Sequence, residues 1–215
     1  MKKTIRQAAC TLAAFLFLLL LLCFVDRGHI GAMGTEVGLS SINGFFFKTF
    51  GRSDLFDKLS DVVFLLTFLY PAFFGVMGIV ELIQKKDLKK VHKSLLAFIP
   101  VFVLLVVLYL LFTKVSPNYR PVLTEEGLEE SFPSSHVMVS IMFSLTGLTM
   151  FRDFHFKLNS AISKTVETAA FVLPCLVAVF RLLSGMHWFT DVLGGIFLGA
   201  FLVQLHRLCT EYKRT

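Results

Sequence analysis

The chain has 215 residues, 55% of them hydrophobic and only 17% charged, with a formal net charge of +6. Its mean hydropathy is +0.74. Soluble domains carry about 25% charged residues, so the composition excludes an ordinary soluble domain and requires a lipid environment.

The chain opens on Lys2, Lys3 and Arg6, followed by a leucine-rich run over 8–25 without a charged residue. A secretory signal begins this way, but no small-residue cleavage site follows, so the run is read as a retained first span. The connection over 26–60 is long and opens with Gly28, Gly31, Gly34 and Gly38, a loop signal. Within it, 42–50 carries Phe45, Phe46, Phe47 and Phe50. That piece is too short to span and is expected at the membrane interface or as a gate. Further apolar runs occupy 62–80, 94–113 and 131–151. Each is close to the ~20 residues that cross a hydrocarbon core. Two later segments, 165–183 and 189–208, carry Glu167, Arg181 and Asp191; ionisable groups inside a span are costly and mark function.

The expectation is therefore an all-α, polytopic membrane protein forming a single domain over 1–215. Its six transmembrane helices fall near 8–25, 61–83, 94–113, 133–151, 165–183 and 189–208. With both termini cytoplasmic, fourteen lysines and arginines fall on the inner side, among them Lys85, Lys86, Lys89, Lys90, Lys93, Arg152, Lys157, Lys164, Arg207, Lys213 and Arg214, and seven on the outer side. This bias obeys the positive-inside rule. It accounts for the net charge without a nucleic-acid partner, and the 85–93 cluster reads as an anchor beside anionic lipid. The four cysteines, Cys10, Cys23, Cys175 and Cys209, have no metal-ligand or disulfide-framework spacing and read as packed or lipid-facing thiols.

Three polar clusters fall on the outer side of this topology. Lys114 and Arg120-Pro121 follow the third span, Pro133-Ser134-Ser135-His136 opens the fourth, and Arg181, His187 and Asp191 bridge the fifth and sixth. His187 and Asp191 are four apart, within reach on one helix face. A carboxylate on one imidazole nitrogen fixes the tautomer and frees the other nitrogen as nucleophile or base. Pro133 suits a first helical turn, Ser134 and Ser135 suit a helix start, and the N–H groups there favour phosphate. Lys114, Arg120 and Arg181 supply cations of the kind that stabilise a transferring phosphoryl group. Glu125, Glu126, Glu129 and Glu130 read as a solvated surface.

Together the clusters resemble the type 2 phosphatidic acid phosphatase (PAP2) superfamily, whose pattern is K-x6-R-P, then P-S-G-H, then S-R-x5-H-x3-D. Arg120-Pro121 and Arg181-x5-His187-x3-Asp191 match in full, and 133–136 matches except that Ser135 replaces glycine. Lys114 is one residue short of the family spacing, with Thr113 in its place, and Phe180 replaces the serine before Arg181. The resemblance implies a PAP2-like helical bundle that removes phosphate from a lipid phosphate at the extracytoplasmic face. His187 would attack phosphorus and form a phosphohistidine, Asp191 would orient it, and His136 would protonate the leaving oxygen and then help activate water. Lys114, Arg120, Arg181, Ser134 and Ser135 would hold the phosphate. No metal and no other cofactor is implied, and the expected partners are a lipid phosphate and the bilayer, with no obligate protein partner. Undecaprenyl pyrophosphate is the leading substrate expectation, with phosphatidic acid and phosphatidylglycerol phosphate as close competitors. The same site serves equally a lipid phosphotransferase, and the fold a non-catalytic transporter or assembly factor.

Overall fold

The computed structural model describes residues 1–156 and 158–212; Lys157, Lys213 and Arg214, counted above on the inner side, lie outside them. Eight α-helices run α1 Lys2–Phe24, α2 Ser40–Phe50, α3 Asp54–Thr67, α4 Leu69–Lys85, α5 Lys93–Phe112, α6 Ser135–Asp153, α7 Ser160–Leu183 and α8 Phe189–Tyr212. Among the described residues the only β pairing consists of isolated bridges in the loops after α1 and after α5.

Five segments are long and apolar enough to cross a membrane: α1, α3 with α4, α5, α7 and α8. The remaining expected span is α6, which carries His136, Ser140, Ser144, Thr146 and Thr149. It tolerates these because protein surrounds it: Val137 and Ile141 pack with Val177 of α7 and Val192 and Val203 of α8. On its other side Met138, Met142 and Phe143 meet Phe15, Leu18 and Leu22 of α1, Val101 and Leu105 of α5, and Leu198 and Leu202 of α8. A helix with little lipid contact needs less hydrophobicity than its neighbours. Small residues let α6 and α8 approach closely, as in membrane bundles generally. A Cβ on Gly195 would lie 2.7 Å from the Ser134 carbonyl oxygen.

The bounds of the second span are corrected, and the loop before it contains a helix. The span does not begin near 61: helix α3 starts at Asp54, and with α4 it makes 32 residues, about 48 Å at helical rise. The helix breaks at Phe68, three residues before Pro71, which has no N–H to offer the Thr67 carbonyl. The phenylalanine-rich segment is α2, and it docks on the start of α8. Its Phe46 ring stacks on Phe189 at 4.2 Å, and buried Asn43 donates to Thr190 Oγ1 at 2.9 Å.

The antiparallel order brings the starts of α3, α6 and α8 and the ends of α5 and α7 to one end of the bundle. The start of α1 and the last turn of α8 meet at the other, where the Met1 amino group pairs with Glu211 at 2.8 Å. Lys85, Lys89, Lys90 and Lys93 line one cavity there with Asp153 and Thr210.

Candidate active site

Three short segments build the site at the first end. The 114–134 connection folds back on itself, with Arg120 N donating to Glu129 O at 3.0 Å and Ser131 N to Asn118 O at 3.0 Å. It is pinned to the bundle by the Trp188 indole, whose Nε1 donates to Tyr119 O at 2.7 Å. Ser134 N donates to Asp191 O at 3.0 Å, which ties the entry of α6 to the first turn of α8. The helix begins at Ser135, with Pro133 two residues earlier in a cis peptide; Pro133 is therefore not in the first helical turn. The 184–188 turn joins α7 to α8, and Ser53 N donates to Ser184 O at 3.0 Å. Gly185 has φ +66° and sits so close to Gly51 that a Cβ would lie 2.1 Å from its carbonyl oxygen. This contact sets the start of α3 beside the end of α7.

His187 lies in that turn, only 4% exposed. Its Nδ1 is 3.1 Å from the Ser131 carbonyl oxygen, which can only accept, so Nδ1 carries the proton and donates. Asp191 Oδ2 is 3.6 Å from the same nitrogen, too far for a hydrogen bond. The tautomer is thus held by a main-chain carbonyl rather than by the carboxylate that the spacing suggests. Asp191, fully buried, instead accepts from the Ser131 hydroxyl and from Trp188 N at 2.8 Å. Through these two bonds it ties the main chain beside His187 to the loop that carries Ser131. His187 Nε2 is buried without a hydrogen-bond partner, so its lone pair is uncommitted. Burial, reinforced by Arg120, Arg181 and His136, pushes the imidazole well below its usual range, keeping it neutral.

Arg120 and His187 line one cavity of about 110 Å³ together with Ser135, Glu129, Glu130 and Ser131. Its other walls are Leu108, Tyr109, Phe112 and Thr113 of α5, with Phe132 and Met138. The glutamates are not all a solvated surface: Glu129 Oε2 pairs with Arg120 Nε at 3.0 Å. His136 and Arg181 meet on a different partner. Asp61 Oδ1 of α3 is 3.3 Å from His136 Nε2 and accepts from an Arg181 terminal nitrogen. The other terminal nitrogen of Arg181 donates to Asp57 Oδ1 at 2.8 Å. Arg181 itself is 3% exposed. The Ser134 hydroxyl is buried without a partner. Lys114 is exposed and stands outside the cavity, where Thr113 contributes instead.

The site therefore gathers Arg120, Ser134, Ser135, His136, Arg181, His187 and Asp191 at one end of the bundle and leaves Lys114 apart. Ser131, Asp57, Asp61 and Glu129 join them unannounced by the motif pattern. Among the described residues, no three His, Cys, Asp or Glu side chains gather closely enough to hold a metal ion.

Residues 110–215 match the sequence model of the PAP2 superfamily. This segment, just under half of the chain, carries the PAP2 superfamily's sequence pattern. A PAP2 relative, phosphatidylglycerophosphatase B of Bacillus subtilis (strain 168), is 33% identical over 93 residues, which is 43% of this chain and 44% of that protein. The match thus spans less than half of the relative's length. The PAP2 fold extends further than the sequence match. The crystal structure of the first transmembrane PAP2-type phosphatidylglycerolphosphate phosphatase, from Bacillus subtilis, superposes on 95% of this chain and 96% of its own, with a TM-score of 0.61 and 24% identity. Within the PAP2 pattern, the residue preceding Arg181 is Phe180, whose ring packs against Phe56 at 5.7 Å. That position therefore joins α7 to α3 rather than offering a hydroxyl to the site.

Proposed function

We propose that this protein is a membrane phosphatase for lipid phosphates, with phosphatidylglycerol phosphate its leading substrate. The observation that carries the reading is His187, whose Nε2 lone pair is free while Arg120, Arg181 and His136 surround it. In this mechanism Nε2 attacks phosphorus in line with the ester oxygen, and the P–O bond breaks as the P–N bond forms. His136 in its protonated form delivers a proton to the departing lipid oxygen. The phosphohistidine is then cleaved by water, with His136 taking the water's proton and phosphate leaving. Arg120 and Arg181 neutralise the charge spread over the equatorial oxygens, and the first turn of α6 offers N–H groups to the same oxygens.

The cavity supports an amphiphile. Its polar side carries Arg120, Ser135 and His187, and its apolar side is formed by Leu108, Tyr109 and Phe112 from a helix apolar enough to span the bilayer. A head group can reach His187 while its tails stay against α5 in the hydrocarbon. The lysine and arginine bias supports an extracytoplasmic position for this end. The relative named for phosphatidylglycerophosphate supports that substrate over phosphatidic acid and undecaprenyl pyrophosphate.

The test is phosphate release by the purified chain in detergent, in the presence of a chelator, from short-chain phosphatidylglycerol phosphate, phosphatidic acid and a polyprenyl pyrophosphate. The expected result is release, fastest from the first, with acid-labile phosphate trapped on His187. Transfer of label to an added lipid alcohol in preference to water would reassign the site to a phosphotransferase. No release from any of the three would leave the fold without this activity.

A further inference from the structure

Both arginines proposed to hold phosphate are paired with carboxylates of the chain itself. Arg120 is paired with Glu129, and Arg181 with Asp57 and Asp61. The two aspartates are not equivalent. Asp57 is 21% exposed and is shared with Arg52 at 3.3 Å, so it is a fixed brace for Arg181. Asp61 is 55% exposed, and one of its oxygens bridges Arg181 and His136. Those are two of the groups that would hold phosphate oxygens. A single carboxylate oxygen shared by a guanidinium and an imidazole would compete with a phosphoryl oxygen for the same two partners.

We propose that Asp61 is a charge filter at the entrance of the phosphate site, an internal competitor that a phosphomonoester displaces and a phosphodiester does not. The inference rests on the function proposed above and names a specificity residue for it. A monoester brings about −1.5 to −2 charges at neutral pH, against one for the carboxylate, so exchange gains attraction to Arg181. A diester brings one charge, so exchange gains nothing in Coulomb energy and adds steric burden from its second substituent. The problem is real for a lipid enzyme, because diester phospholipids make up the surrounding bilayer and greatly outnumber any monoester. A tethered carboxylate meets its partner at high effective concentration, which suits it to exclude such a background. The exposure of Asp61 keeps its own pairing modest, so the correct substrate can still open the site.

The experiment uses the full-length chain in detergent with Asp61→Asn, which keeps the size and the accepting oxygen but removes the charge. Asp61→Ala serves as a second variant. Binding of short-chain phosphatidylglycerol and of phosphatidylglycerol phosphate is measured by calorimetry in a His187→Gln background, so that no turnover is needed. The original Asp61 protein should bind the monoester and discriminate against the diester. Either substitution at Asp61 should strengthen diester binding about 1.5- to 5-fold, the range for releasing a partly exposed ion pair, and so narrow the monoester preference. In the parent with His187 intact, phosphatidylglycerol should inhibit phosphate release more strongly once Asp61 is replaced. A monoester preference unchanged by both substitutions, or weaker binding of both lipids, overturns the filter while leaving the phosphatase reading standing. No monoester binding by the Asp61 protein overturns both.

Discussion

Two buried histidines sit near opposite ends of α8, and their similarity is instructive. His187 and His206 each have one ring nitrogen on a main-chain carbonyl, His187 Nδ1 on Ser131 at 3.1 Å and His206 Nε2 on Ser94 at 2.9 Å. Each leaves its other nitrogen buried without a hydrogen-bond partner. By hydrogen bonding alone they are the same object. They differ in company: His187 lines a cavity with Arg120 and lies within the fields of Arg181 and His136. His206 is fully buried, with Phe98 6.5 Å from its ring. A half-satisfied buried histidine is thus not a site in itself. Converging cations and an opening to an anion make it one.

The sharpest way to break that comparison is to remove each ring in turn. His187→Ala should lower phosphate release by on the order of 10⁴-fold or more, as loss of a nucleophile does, while the protein still inserts and folds. His206→Ala should instead cost about 1–3 kcal/mol of stability, read as a lower thermal midpoint, and leave the rate of the folded protein close to that of the parent. Equal losses of rate would erase the distinction.

Next in size is Asp191→Asn. It keeps the shape but weakens the bonds to the Ser131 hydroxyl and Trp188 N that position the segment beside His187, and the rate should fall on the order of 10²-fold with little change in KM. A rise in KM alone would move Asp191 from orienting His187 to holding substrate.

A smaller effect concerns pH. The His187 imidazole is held well below 6.5 by burial and by the neighbouring arginines. The acid limb of kcat/KM that reports its protonation therefore lies below pH 6.5. The same sign governs stability: the unfolded chain takes up the proton first, so stability is full above the unfolded pKa and falls as pH drops below it. His187→Gln should remove this share of the decline in an unfolding titration. An acid limb above pH 7 would contradict the burial seen here.

The smallest effect is expected at Lys114. It is exposed and outside the cavity that Thr113 lines, so Lys114→Ala should leave kcat/KM nearly unchanged. A large loss would show that the side chain swings in when substrate binds. Thr113→Lys is the complementary variant, restoring the spacing of the family pattern at a position that already lines the cavity.

The order of the spans and the residues that approach phosphate were readable because each has a local signature. Long apolar runs report helices, and Arg120-Pro121, 133–136 and Arg181-x5-His187-x3-Asp191 report themselves by spacing. The α3 aspartates were hidden by where the apolar run starts. Val62 opens it, so Asp57 reads as loop and Asp61 as the very edge of the second span, although their spacing of four already puts them on one helical face. Ser131 was invisible for a different reason. Its contribution to His187 is a carbonyl oxygen, which every residue type possesses. The interfacial role expected for 42–50 rested on composition, and composition cannot show that Asn43 and Phe46 meet Thr190 and Phe189.

That carbonyl has a consequence for how the protein withstands genetic change. A ring held by a carboxylate loses its tautomer when one codon changes. A ring held by the main chain does not, because any residue at position 131 retains the accepting oxygen as long as the loop keeps its path. Variation at 131 is then confined to the hydroxyl on Asp191, a graded adjustment rather than a switch. The proton on Nδ1 is inherited with the backbone, and only a change that reroutes the loop can take it away.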